Sequence, residues 1–192
     1  MLNKKIIKNS LGFLTFSLML SSSLNAANVK LESNHDYLVT ETRPNNIALV
    51  DLKTNKVINE CKTDESFSPG GIVLSPDYKT AFVLGGYGEE IGGYEIETCK
   101  KIFHASLTQG NIRAKSLSGI AVNEDGKQVY AIYNRTQMGT DTYTVLEPYF
   151  SVYNVSDGIG AKAVVQHASF IGKAFDIVIL YIRSQYTSVN AP

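Results

Sequence analysis

The chain has 192 residues, with 18 basic and 18 acidic side chains and a formal charge of zero. Binding to nucleic acid or anionic lipid calls for a basic surplus, so neither is expected as a principal partner. Eleven Tyr and eight Phe without a Trp suit a sheet protein, because aromatic side chains pack well on pleated surfaces.

The first element stands apart from the fold. Lys4, Lys5 and Lys8 precede the apolar run "LGFLTFSLML" (11–20), and "SSSLNAA" (21–27) follows. A basic start, a core of about 10 apolar residues and a small-residue end describe a secretory signal peptide. A membrane span needs about 20 apolar residues. Residues 1–26 are therefore expected to be removed on export, after which no membrane contact is expected. Their loss takes away three lysines and no acid, leaving 18 − 3 = 15 basic against 18 acidic residues, a net charge of −3.

Short apolar runs then follow in series: "DYLVTE" (36–41), "NIALVDL" (46–52), "KVINECK" (56–62), "GGIVLSP" (70–76), "TAFVLGG" (80–86), "GGYEIE" (92–97) and "KKIFHASL" (100–107). "SGIAVNE" (118–124), "QVYAIYN" (128–134), "YFSVYNV" (149–155) and "AKAVVQHASF" (161–170) complete the set. Each is rich in Val, Ile, Tyr or Phe and is bounded by Gly, Pro, Asn or Asp. These are strand signals, and no helical period competes with them over residues 36–170.

The runs repeat. "LSPDYKTAFVL" (74–84) returns as "VNEDGKQVYAI" (122–132), and "LVDLKTNKV" (49–57) returns as "GYEIETCKK" (93–101). The second pair sets Thr54 against Thr98 and Lys56 against Lys100. Four strands per repeat, the last two joined by a tight polar turn, mark a blade of a β-propeller. One blade cannot cover both of its faces, so neighbours must stack to make a core. The expected fold is all-β: a partial ring of four-stranded antiparallel blades over residues 27–170. It comprises strands two to four of one blade, then two complete blades. Residues 171–192 leave the rhythm and form a divergent tail with one apolar run, "FDIVILYI" (175–182). Propellers close with about four to eight blades, so a truncated ring is expected. Its uncovered blade face would be apolar and poorly soluble alone.

Chemistry-bearing residues are sparse. Cys61 and Cys99 are either bridged, as an oxidising compartment favours, or two separate buried thiols; their spacing does not choose. "GGYGEEIGG" (85–93) fails the spacing of a dinucleotide loop, and Glu89 and Glu90 would repel phosphate, so it is expected to be a flexible loop. His35, His104 and His167 are far apart in the chain and lack metal-ligand spacing. Ser66, Ser68 and Ser75 lie near prolines or turns, outside any nucleophile motif. Asp77 and Asp125 are turn formers. No catalytic, cofactor-binding or metal-ligating residue is assigned. The connection 134–148 is longer than a hairpin needs, and is expected to be a loop that grips a partner.

Four segments carry a family resemblance: "RPNNIALVDLKTNKVINEC" (43–61), "SPGGIVLSPDYKTAFVL" (68–84), "GGYEIETCKKIFHASL" (92–107) and "GIAVNEDGKQVYAIYN" (119–134). With "NRTQMGTDTYTVLEPYFSVYN" (134–154), they resemble the β subunit of quinohemoprotein amine dehydrogenase, a seven-bladed propeller of YVTN type. The likeness covers about residues 36–167. It implies a periplasmic, non-catalytic subunit in a complex that oxidises primary amines to aldehyde and ammonia. It also implies that the cofactors sit on partners: cysteine tryptophylquinone on a small subunit and haem c on a larger one. Two other readings stand beside it, a stand-alone exported propeller that binds a protein or carbohydrate, and a propeller enzyme such as a lactonase. Fold alone does not decide among them.

Overall fold

The computed structural model describes residues 29–167, apart from 33, 43, 64–70, 117 and 118. The expected signal segment 1–26 and tail 171–192 lie outside the described residues. Among those described, no helix is long and apolar enough to cross a membrane.

The first sheet is a meander of β1 (Tyr37–Thr42), β2 (Asn46–Asp51) and β3 (Lys56–Lys62), all antiparallel. Asp51 closes the β2–β3 turn by accepting the amides of Lys53 at 2.8 Å and Thr54 at 3.3 Å. The second sheet runs β4 (Ile72–Leu74), β5 (Thr80–Gly85), β6 (Glu90–Glu95) and β7 (Lys101–Ser106), in that spatial order. The third is built from β8 (Ile112–Lys115), β9 (Ile120–Val122), β10 (Gln128–Met138), β11 (Tyr143–Asn154) and β12 (Val165–His167). Here β9, β10, β11 and β12 make the meander, and β8 pairs with the far half of β10. The described residues are thus an arc of three β-propeller blades, the first lacking its innermost strand.

Blade stacking explains the composition of β5, which is buried along its whole length. Its side chains alternate across the sheet. Ala81 and Val83 pack with Ile47, Leu49 and Cys61 of the first blade. Phe82 and Leu84 pack with Val122, Val129 and Ala131 of the third. A strand buried on both faces reads as a continuous apolar run rather than an alternating one, and "TAFVLG" is such a run. Behind it, Phe82 and Phe103 meet edge-on, ring centroids 5.8 Å apart. Gly93 makes the room: a Cβ there would lie 2.8 Å from Phe103 Cβ and 2.9 Å from the Phe82 ring.

Two expectations give way. The segment 134–148 is no loop. It continues β10 and β11 as a two-stranded ribbon, turned at residues 139–142, where the Gly139 amide donates to Thr142 O at 2.8 Å. The partner strand β8 supports it. One residue, Asn134, faces two, Glu147 and Pro148, so the register slips there. A proline has no amide to give, and such a bulge is where a paired strand tolerates one. Arg135 closes the irregularity, its guanidinium 3.1 Å from the Tyr149 ring centroid and its Nε donating to Glu147 O at 3.1 Å.

The glycine-rich stretch 85–93 is likewise no slack loop. Gly86–Gly88 form one 3-10 turn, and β6 begins at Glu90. Gly88 O accepts the Ser116 amide at 2.8 Å, and Glu89 takes Arg113 Nε at 2.6 Å. The turn joins the second blade to the third. Gly88 sits at φ +89, and a Cβ there would be 2.4 Å from Ser116 O. Only glycine meets both demands.

Candidate functional site

The two repeated turns build a cleft. Between β4 and β5, Pro76 pre-sets its own backbone for a turn, and the Tyr78 amide donates to Ser75 O at 2.8 Å. Ser75 Oγ donates to Asp77 Oδ1 at 2.6 Å and accepts the Thr80 amide at 2.9 Å. Asp77 Oδ1 also accepts the Lys79 amide at 3.1 Å. Between β9 and β10 the same circuit is made with other residues. Asn123 Oδ1 accepts the Gln128 amide at 2.8 Å, and Asp125 Oδ1 accepts the Lys127 amide at 3.0 Å. Asn123 therefore does what Ser75 does. Tyr78 (φ 58) and Gly126 (φ 72) occupy the same left-handed position.

Stacking of the blades brings these turns together around a cleft of about 390 Å³, lined by Ser75, Pro76, Asp77, Thr80, Phe82, Glu124, Asp125, Gly126 and Val155. That is the lower end of the size range of small-molecule pockets, roughly 300–1,000 Å³. Phe82 and Val155 give it an apolar part, and three carboxylates give it charge. The Ser75 hydroxyl, then the Lys79 amide and charge, hold Asp77 below the usual carboxylate range against partial burial. The Lys127 amide does most to lower Asp125. Both are ionised at neutral pH and already hold their turns. The cleft can accept hydrogen bonds or attract a cation.

The histidines are not brought together. His35 is a latch of the first blade, with Nδ1 3.0 Å from Asp51 Oδ2 and Nε2 3.3 Å from Glu32. Asp51 stays below the usual range: burial raises it, but the Lys53 amide, His35 and Thr54 outweigh that. His104 lies on β7, the outer strand of the second blade, with Nε2 3.5 Å from Glu90. Its backbone bonds to Gly158 O, and its carbonyl accepts the amides of Gly160 and Ala161. His167 pairs through β12 with Phe150. Among the described residues, no group of three or more His, Cys, Asp or Glu is placed to hold a metal ion. Ser75 is buried in its turn, while Ser66 and Ser68 lie outside the described residues.

Cys61 and Cys99 are bridged, with Cα atoms 5.0 Å apart. The bond joins β3 of the first blade to the β6–β7 turn of the second. Cys99 stands at φ 60, and Asn55, at the matching place in the first blade, stands at φ 54. Beside the bridge, the buried Asn59 donates to Ile96 O at 2.9 Å.

No protein-family model and no curated protein matches the chain. Solved structures that resemble it include the WD40 domain of Toxoplasma gondii coronin, at 12% identity over 68% of this chain and 30% of that one, TM-score 0.42. Kuenenia stuttgartiensis hydrazine synthase is similar at 12% identity over 72% of this chain and 52% of that one, TM-score 0.38. The Cps50 (Swd1) β-propeller domain of Myceliophteria thermophila is similar at 10% identity over 69% of each chain, TM-score 0.25. The chain thus spans about a third of the coronin domain and about half of the hydrazine synthase chain. Likenesses this distant say nothing of activity, and the fold assignment stands on the sheets themselves.

Proposed function

We propose that this chain is a non-catalytic propeller subunit of an exported, periplasmic amine-oxidising complex, of the kind its sequence resembles. In this reading the quinone-bearing small subunit and the haem c subunit are its partners, and they supply the redox chemistry. What supports the reading is the ribbon of β10 and β11. It is anchored by β8 and by Arg135, and beyond the bulge it carries two large side chains on one face, Tyr143 and Val145, 72% and 82% exposed. Rigid, exposed aromatic side chains such as Tyr143 are what a binding surface uses. Asp51, Asp77 and Asp125, by contrast, are engaged in holding turns.

Co-expression with candidate haem and quinone subunits tests the reading. Tyr143→Asp with Val145→Asp alters only exposed side chains, so the blades should fold. The expected result is at least about a tenfold loss of co-purified haem absorbance, corresponding to roughly 1.4 kcal/mol of binding. Undiminished assembly would refute the role of the ribbon. The acidic cleft favours a second reading, a stand-alone exported propeller that binds a small cationic or hydroxyl-rich ligand; Glu124→Gln should then weaken binding without changing assembly.

A further inference from the structure

The His35 ring has more polar neighbours than hydrogen-bonding positions. Its side chain is 11% exposed and lies beside the Tyr37 ring, centroids 6.1 Å apart. Nδ1 is 3.0 Å from Asp51 Oδ2. Asp51 is buried, and its other oxygen accepts the amides of Lys53 and Thr54, so it meets the ring as a carboxylate that only accepts. Nδ1 therefore carries a proton whether the ring is neutral or charged. Nε2 has two neighbours of opposite kind. Lys53 Nζ, at 3.1 Å, only donates, and Glu32 Oε2, at 3.3 Å, only accepts. An imidazole nitrogen offers one in-plane position, either a lone pair or an N–H. The two contacts thus exclude each other as hydrogen bonds.

The choice between them reaches beyond the ring, because Glu32 precedes β1 in a strap that spans the first two blades. At one end of the strap, Val29 and Leu31 donate their amides to Glu97 O and Glu97 Oε1, each at 3.2 Å, in the β6–β7 turn. At the other end, Asp36 O accepts the Leu52 amide at 3.0 Å, just past β2. The Glu32 amide donates to the Tyr37 hydroxyl at 2.9 Å. Its carboxylate, on a side chain 66% exposed, is tied to the first blade only through Nε2 of His35.

We propose that His35 is a pH-operated latch on this strap. Neutral, it donates Nδ1–H to Asp51 and accepts the Lys53 ammonium at Nε2. When Nε2 takes a proton from solvent, the ring keeps Asp51, releases Lys53 and donates to Glu32, which ties the strap to the β2–β3 turn. Among the described residues, the charged groups in contact with the ring are Glu32 from the strap and Asp51 and Lys53 from the β2–β3 side. Tyr37 flanks the ring, Asp36 adjoins it in the chain, and Glu97 holds the far end of the strap.

Nitrogen-15 NMR of the full chain, followed between about pH 5 and pH 8, tests the latch. At the upper end His35 should be the Nδ1–H tautomer, with Nε2 unprotonated. Lys53→Met removes a cation from the place where the second proton goes, and should move the His35 transition up by roughly 0.5 pH unit. Glu32→Gln removes the acceptor of that proton, and should move it down by a similar amount. As His35 gains its proton, protection of the Leu31 amide, corrected for the intrinsic exchange rate, should rise at least about threefold. In Glu32→Gln it should not rise. An Nε2–H tautomer in the neutral ring would overturn the proposal. So would variants whose transitions do not part in those two directions, or Leu31 protection that is indifferent to the Glu32 substitution.

Discussion

Reducing the bond between Cys61 and Cys99 should lower the stability of the protein substantially, and the chain itself sets the size of the effect. The two cysteines are separated by 38 residues. Closing a loop of that length removes about 13 cal/mol/K from the unfolded ensemble, or about 4 kcal/mol at 25 °C. Reduction removes no side-chain atom and so opens no cavity beside Cys61, and the loss reports chiefly on the link. Removing the cysteines tests a second feature. Cys99 sits in the left-handed region, where Asn55 serves in the first blade. Asparagine tolerates that backbone and alanine does not, so C61A/C99N should be more stable than C61A/C99A by about 1 kcal/mol. Urea unfolding of the oxidised, reduced and two doubly substituted proteins measures both. A loss on reduction below about 1 kcal/mol, or equal stability of the two variants, would refute the reasoning.

Two other perturbations address the second and third blades. Gly88→Ala introduces a Cβ into a backbone carbonyl at a positive φ, and should cost at least about 2 kcal/mol in urea unfolding. Gly110→Ala, at φ +58 with nothing within 4 Å of the new Cβ, should cost only the backbone strain, about 1 kcal/mol. Asp77 and Asp125 are held below their ordinary values in the folded chain, so folding favours their ionised forms. Their contribution is complete above about pH 4 and is lost as pH falls through the folded values. Melting temperature should therefore drop on the acid side, and Ser75→Ala, which removes the hydroxyl that most lowers Asp77, should make that drop shallower.

Most of the meander was legible because each blade strand is short, branched or aromatic, and ended by a turn residue. The expected runs 46–52, 56–62 and 80–86 fall within a residue of β2, β3 and β5. The strand β8 was not legible. "IRAK" is four residues long with two charges, and only its partner on β10 makes it a strand. The ribbon beyond Asn134 was missed for a related reason: its polar residues and Pro148 argue for a loop, and the bulge that accommodates the proline is a property of pairing. The cleft has a different cause. Its turns were visible as a repeat, yet Asp77 and Asp125 lie 48 positions apart, and only blade stacking places them beside one cavity. The disulfide was open in the sequence for the same reason, since β3 and the β6–β7 turn meet only once the first two blades are packed.

The two junctions between blades are held by different means, and the difference follows from what each offers to bury. Between the second and third blades the core includes Phe82, Phe103, Tyr133 and Tyr153. Backbone bonds cross it at both ends, from Ser116 to Gly88 and between His104 and residues 158–161. Between the first and second blades the core is smaller, chiefly Ile47, Leu49, Ala81, Val83, Tyr94 and Ile96, and the covalent bridge lies there. In a stacked-repeat protein, stability is close to a sum of repeat terms and neighbour terms. A link that restricts the unfolded chain contributes most where the neighbour term is weakest. The second blade, covered on both faces, is then the last to open, and reduction should loosen the first blade from it while the acidic cleft between the second and third stays intact.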